Sequence, residues 1–240
     1  MKLVVNLKLL PTPKQSTNLL ETLERANAAC QWLSDLAWGQ RVFGQYALHK
    51  LAYYQLKAHF SLTAQMVVRC IAKVADSYKM DRKTQRIFRP QGSISYDDRI
   101  LRFLAGDQVN LWTVAGRETI PYVCGERQRA LLVFHQGEID LVYRDKNFYL
   151  NVVCDVDAPP LLEVSDVLGV DEGIVNIAAD SDGEIYSGGK VNGLRKRHAK
   201  LRARLQSKGT KSAKRLLVKR KRRESRFARD VNHCISKRLV

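Results

Sequence analysis

Charge is divided along this chain so unevenly that the last fifth of it reads as a different material from the rest. Residues 190–240 carry twenty Lys or Arg against two acids, Glu224 and Asp230, whereas the preceding 189 residues hold 21 bases and 22 acids. The net charge of +17 therefore comes entirely from the C-terminal block. Such density marks a surface for a polyanion, nucleic acid before anionic lipid, with a merely solvated helix face as the plain alternative. The 240 residues are 45% apolar and 27% charged, which suits a folded chain of one large or two small domains. Five scattered cysteines, Cys30, Cys70, Cys124, Cys154 and Cys234, form no C-x-x-C pair and read as small buried side chains of a reducing compartment. Met1–Pro11 lacks the apolar core and cleavage site of a signal peptide, and no run approaches the roughly 20 apolar residues of a membrane span. These features predict a cytoplasmic protein without a membrane partner.

Period-two alternation of Leu3, Val5, Leu7 and Leu9 predicts a strand over Lys2–Leu9. Three amphipathic helices follow, from Pro13 to about Phe43, over about Ala47–Phe60, and after an N-cap at Ser61 or Thr63. In the third, Met66, Val67, Cys70, Ile71, Val74 and Tyr78 share the buried face, and the three together suggest a small bundle. From Ile87 to Val156 the texture is short strands: Ser93–Tyr96, Ile100–Leu104, Gln108–Thr113, Leu131–Gln136, Glu138–Arg144 and Asn147–Val156. Gln136-Gly137 and Asp145-Lys146 are the lengths of hairpin turns. Strands in such succession suggest a small barrel or sandwich, which Lys2–Leu9 completes if the helices are an insertion. Asp157-Ala-Pro-Pro160 is a linker. Beyond it come a strand around Asp171, a second at Glu184–Ser187, and two basic helices over about Gly193–Gln206 and Ser212–Leu239.

Asp171 lies within Val167-Leu-Gly-Val-Asp-Glu-Gly-Ile-Val-Asn-Ile-Ala-Ala179, an apolar run ending in the turn sequence Asp180-Ser-Asp-Gly183. A carboxylate in a buried strand costs several kcal/mol unless compensated, and a bound cation is one compensation. Mg²⁺ uses one or two carboxylates and keeps several waters; paired ions clamp both oxygens of a phosphodiester displacement. Gly169 and Gly173 leave room for a phosphate backbone beside Asp171. The alternative is an Asp that bonds neighbouring amides and holds no metal. Glu172 is predicted to point to the opposite face, and Asp180 and Asp182 to serve the turn.

The candidate nucleic-acid contacts are Arg195, Lys196, Arg197, Lys200, Arg202, Arg204, Lys214, Arg215, Lys219, Arg220, Lys221, Arg222 and Arg223. They neutralise phosphates without reading sequence. A solvated face is the weaker reading, because few acids are present for i,i+4 pairing. Tyr53, Tyr54, Trp112, Tyr122, Phe148 and Tyr149 are either core residues or stacking platforms for bases. His198 and His233 read as structural.

Gly169–Gly183 resembles the first RuvC-type, ribonuclease-H-like motif of the OrfB/TnpB proteins of bacterial insertion sequences, relatives of type V CRISPR effectors. Ser93-Ile-Ser-Tyr-Asp-Asp-Arg99, Gly116-Arg117 and Leu141–Leu150 resemble the family's N-terminal β region, and Arg226–Lys237 the helix after its first catalytic strands. The resemblance implies an α+β fold: an oligonucleotide-binding-type β barrel (residues 1–10 and 85–156) with an inserted helical recognition bundle (11–84). A linker (157–165) and a partial RuvC-like α/β domain with a basic helical pair (166–240) follow. It also implies RNA-guided DNA endonucleases, transposon-associated, that bind guide RNA and DNA and cut with Mg²⁺. Asp171 matches the first of three catalytic acids and would be the one Mg²⁺ ligand of an incomplete site; Glu172 stands where an apolar residue is common. The family's second acid, its zinc ribbon and its third acid lie beyond residue 240, so no zinc is expected in this chain. The resemblance then implies a truncated member that binds RNA or DNA and does not cut alone. The other reading is a non-catalytic RNA- or DNA-binding derivative, a repressor or guide-sequestering factor.

Overall fold

Strand β1 (Lys2–Leu9) turns Val5, Leu7 and Leu9 inward and leaves Lys2, Val4, Asn6 and Lys8 outside, as its alternation predicts. In this computed structural model, which describes residues 1–160 and 166–239, the chain forms two compact units, Met1–Pro159 and Pro160–Val240. Residues 161–165 of the predicted linker lie outside the described residues.

In the first unit Thr12 caps helix α1 (Pro13–Gln40) with a reciprocal pair of bonds. Thr12 Oγ1 accepts from the Gln15 amide at 3.3 Å, and Gln15 Oε1 accepts from the Thr12 amide at 3.0 Å. Helices α2 (Gln45–Phe60) and α3 (Ala64–Met80) complete the bundle, α3 starting from Thr63 with all six predicted face residues buried. Strands β2 (Ile94–Tyr96), β3 (Leu101–Leu104), β4 (Gln108–Thr113) and β5 (Gly116–Val123) come next. Helix α4 (Glu126–Leu132) and strands β6 (His135–Arg144) and β7 (Asn147–Asp155) end the unit. One seven-stranded antiparallel sheet runs β2-β6-β7-β1-β5-β4-β3. Its edge strands β2 and β3 are consecutive in the chain, so the sheet curls. Near the closure Tyr96 Oη donates to the Trp112 carbonyl at 2.9 Å, and the Trp112 amide to the Ile100 carbonyl at 2.9 Å. The result is a near-barrel whose core is continuous with that of α1–α3.

Three expectations for this unit need correcting. β5 is an additional strand: Pro121 lies in it where β5 stops pairing with β4 and begins pairing with β1, so its missing amide costs little. Leu131–Gln136 is not a strand. Its leucines end α4, whose helix-forming run Glu126-Arg-Gln-Arg-Ala-Leu-Leu outweighs the apolar texture, and Gln128 pins it by accepting from the Gly125 amide and donating to the Asn6 carbonyl, each at 2.8 Å. Gln136-Gly137 makes no hairpin. It is an irregularity within β6, where the register to β7 shifts between His135 and Ile139 and Gly137 takes φ +85°. Asp145-Lys146 does turn the β6–β7 hairpin, both residues having positive φ (50° and 64°).

Asn27 ties the loop after α3 to α1. Although buried, it donates through Nδ2 to the carbonyls of Leu23 (2.9 Å), Pro90 (3.2 Å) and Gly92 (2.8 Å), while Oδ1 accepts from Lys73 Nζ at 2.8 Å. Asn27→Ala leaves those groups without their partner and is expected to destabilise this unit by about 2–4 kcal/mol. Urea unfolding followed by tryptophan fluorescence checks this; a loss under about 1 kcal/mol would show that water replaces the amide.

The second unit is a three-stranded meander, β8 (Val170–Glu172), β9 (Asn176–Asp180) and β10 (Ile185–Ser187), followed by helices α5 (Gly189–Lys208), α6 (Lys211–Arg220) and α7 (Arg223–Leu239). The predicted second basic helix is thus two. It breaks at Lys221-Arg222, where Arg222 adopts φ +67°, in the middle of Lys219–Arg226, which has no apolar residue to hold it against a neighbour. Gly188 is required where the hairpin meets α5: its amide donates to the Val175 carbonyl at 2.9 Å, and a Cβ there would lie 2.6 Å from that oxygen. No described helix is long and apolar enough to cross a membrane.

Candidate nucleic-acid interface

The β8–β10 sheet decides which acid faces where. Asp171 is in register with Ala179, which is in register with Ile185; Glu172 is in register with Ala178, and Ala178 with Tyr186. Ala178 and Tyr186 are buried, so the Glu172 face is the one covered by helices. A cavity of about 620 Å³ lies there, lined by Glu172, Ile177, Val191, Arg195, Arg229 and His233 among others. Asp171 takes the opposite face, which carries Ala179 and the exposed Ile185.

Asp171 itself is exposed, as are Val170 and Glu172, which corrects the expectation of a carboxylate in a buried strand. β8 is the edge of a three-stranded sheet, and the apolar run around it is largely uncovered: Ile174 is 85% exposed and Val175 78%. Among the described residues the Asp171 carboxylate has no ion pair or hydrogen bond, so the amide-bonding alternative is not seen. A Cβ at Gly173 would lie 3.0 Å from the Asn176 carbonyl, so the chain's own return strand uses that space, whereas at Gly169 it would meet Ser181 Cβ at an ordinary 3.7 Å. Asp180 serves the turn as expected, Oδ1 accepting from the Glu184 amide at 2.7 Å, while Gly183 takes φ +90°.

The basic residues are presented on helices α5, α6 and α7. Asn192 Nδ2 donates to the Ile174 carbonyl at 2.8 Å and fixes the start of α5 against the hairpin. Gly209, with φ +62°, ends α5, and Thr210 caps α6 by accepting from the Ala213 amide at 3.2 Å. Of the thirteen nominated cations, Arg195, Lys196, Arg197, Lys200, Arg202, Arg204, Lys214, Arg215, Lys219, Lys221, Arg222 and Arg223 are exposed and Arg220 is half-buried. Arg202 is engaged, bonding Glu224 at 2.5 Å and joining α5 to α7. Arg226 and Arg229 on α7, which the sequence reading passed over, extend the surface and are also exposed. His198 lines a second cavity between α5 and the α6–α7 corner, with Leu201, Leu205 and Leu217; His233 lines the first.

The aromatic candidates separate. Tyr122 and Phe148 are core, and Trp112 and Tyr149 are half-buried under Arg117 and Arg144 at 5.4 and 4.8 Å. Tyr53 is half-buried and Tyr54 fully presented. Among the cysteines, Cys30, Cys70 and Cys154 are buried as expected, Cys124 is half-buried, and Cys234 is exposed because no residue of α7 is fully covered.

The profile of the OrfB_IS605 family, described as probable transposase, matches residues 151–240. The matched stretch runs from within β7 through the Asp171 strand and all three basic helices. No curated protein matches the chain. Among solved structures it aligns with a cryo-EM structure of a CRISPR-Cas12f ternary complex, at 11% identity and TM-score 0.42 over 82% of this chain and 53% of that one. A cryo-EM structure of a Cas12f1–sgRNA–target DNA complex aligns at 14% identity and TM-score 0.40, over 100% of this chain and 71% of that one. The chain therefore spans about half the length of the first of these.

Proposed function

We propose that this chain is a TnpB-like, transposon-associated protein that binds a guide RNA and DNA through the exposed cations of α5, α6 and α7. The observation that carries this is a coincidence of position. The OrfB match, residues 151–240, covers the Asp171 strand and the whole of the excess positive charge. In this reading residues 1–10 and 85–156 form the oligonucleotide-binding-type barrel and 11–84 its inserted recognition bundle. Residues 166–240 form a partial ribonuclease-H-like domain after the linker 157–165.

Asp171 would be the first Mg²⁺ ligand of the family's nuclease site. Its surroundings supply one carboxylate: Glu172 lies on the other face, Asp180 and Asp182 are at the turn, and no three His, Cys, Asp or Glu among the described residues are grouped to hold a metal. One ligand does not make the two-metal clamp that phosphodiester cleavage uses. In this proposal the chain on its own binds rather than cuts; the second reading is a non-catalytic RNA- or DNA-binding member such as a repressor or guide-sequestering factor.

Titration of labelled RNA and DNA across a salt series, beside a Mg²⁺-dependent plasmid cleavage assay, tests this. Binding is expected to weaken steeply with salt, Asp171→Ala to bind within about twofold of the parent, and neither protein to cleave. Cleavage that disappears in Asp171→Ala would overturn the non-cutting part; salt-insensitive or absent binding would overturn the whole.

A further inference from the structure

Helix α2 has an outward face of which the fold packs only Tyr53 against the core. At 100° per residue, Tyr46, His49, Lys50, Tyr53, Tyr54 and Lys57 fall within one arc, and Leu48, Ala52 and Leu56 on the other side are fully buried. Tyr46 is 75% exposed and Tyr54 81%. The rings are ordered against one another: His49 stacks on Tyr53 at 4.7 Å and 22°, Tyr54 meets Tyr53 edge-on at 5.3 Å, and Lys50 Nζ sits 4.9 Å over the Tyr46 ring. The helix contains no Asp or Glu, so nothing on it neutralises Lys50 and Lys57. The face runs about 16 Å from Tyr46 to Lys57 at the helical rise.

We infer that this face of α2 is a stacking platform for single-stranded nucleic acid. Exposed aromatic rings accept base faces irrespective of sequence, and lysines interleaved with them take the adjoining phosphates. A lipid surface is the poorer fit. Membrane-lying helices insert an apolar face, whereas Leu48 and Leu56 of α2 are buried in the core and Leu51 is half-buried, leaving phenol-tipped rings outside. The inference rests on the nucleic-acid-binding reading above and adds to it a contact in the first unit that depends on bases as well as phosphates.

The test uses the full chain with short labelled single strands of DNA and RNA, an abasic strand of equal length, a duplex, and vesicles of phosphatidylserine and phosphatidylcholine. The variants are Tyr46→Ala/Tyr54→Ala and Tyr46→Phe/Tyr54→Phe. Both are made in the parent and in a chain carrying Lys219→Gln, Arg220→Gln, Lys221→Gln and Arg223→Gln, with circular dichroism as the check on folding. The alanine pair is expected to lose about five- to a hundredfold in affinity for base-bearing single strands. The loss should be clearest on the charge-reduced chain, with no loss on the abasic strand, and the phenylalanine pair should match the parent. If the alanine pair binds base-bearing strands as the parent does while salt-dependent binding persists, the platform is overturned and the basic-helix reading stands. Failure of every form to bind any strand overturns both. Vesicle binding that the alanine pair abolishes, with strand binding untouched, reassigns the face to lipid and overturns the proposal.

Discussion

Replacing Lys219, Arg220, Lys221, Arg222 and Arg223 together by glutamine is expected to lower nucleic-acid affinity by about a hundred- to ten-thousandfold at 0.1 M salt. The five stand at the corner between α6 and α7, four of them exposed, with Arg220 half-buried. A cation that neutralises a phosphate releases condensed counterions, and each such contact adds roughly 0.9 to the slope of log affinity against log salt. Losing five contacts should therefore flatten the duplex slope by about 4.5. Glutamine is polar, unbranched and close to Lys and Arg in helix propensity, so the charge is the main variable. Measuring affinity for one duplex and one single strand at four or more salt concentrations gives the slope directly. An unchanged slope would place the phosphate contacts elsewhere, on α5, and an equal loss at every salt concentration would point to a structural defect instead.

That corner also shows where pattern reading stops. Lys219–Arg226 offers no apolar residue, so periodicity had nothing to measure there, and continuing the helix from Leu217 to Phe227 was the default. The break at Arg222, with φ +67°, falls inside that charged run, where no apolar period marks it. By contrast α3 was legible to the residue, because Met66, Val67, Cys70, Ile71, Val74 and Tyr78 have a strong 3.6-residue period and Thr63 is a ready cap. β1 was legible for the same reason at period two. β5 was not: Pro121 argues against a strand unless one knows that the pairing changes partner there.

Asp171 was found by motif and misjudged by environment. An apolar run predicts burial only when something packs on it, and β8 is an edge strand of three residues with its Asp171 face uncovered. The direction of Glu172, away from Asp171, was legible, since strand alternation alone decides it. The aromatic face of α2 was half legible. Tyr53 and Tyr54 were noticed, but Tyr46, Lys50 and Lys57 join them only once Leu48, Ala52 and Leu56 are known to define the inner side.

Leu7→Ala is expected to destabilise the first unit by about 2–5 kcal/mol while leaving the second folded. Leu7 is completely buried on β1, in register with Leu150 of β7, and β1 is the strand that joins the β7 side of the sheet to the β5 side. Truncating it removes apolar contacts at the centre of the near-barrel, and the ladder on both sides hinders the collapse that would refill the space. The chain provides its own local reporter. Trp32, Trp38 and Trp112 are its three tryptophans and all belong to the first unit, so indole fluorescence follows that unit alone, whereas far-ultraviolet circular dichroism also includes α5, α6 and α7. In urea the fluorescence transition should move to lower concentration by the amount that the energy and slope dictate, and part of the helical signal should survive past it. Salt-dependent binding by the basic helices should persist at urea concentrations where the tryptophans already report unfolding. Coincident loss of fluorescence, helical signal and binding would mean that the two units unfold as one, and that the charge surface depends on the barrel for its structure.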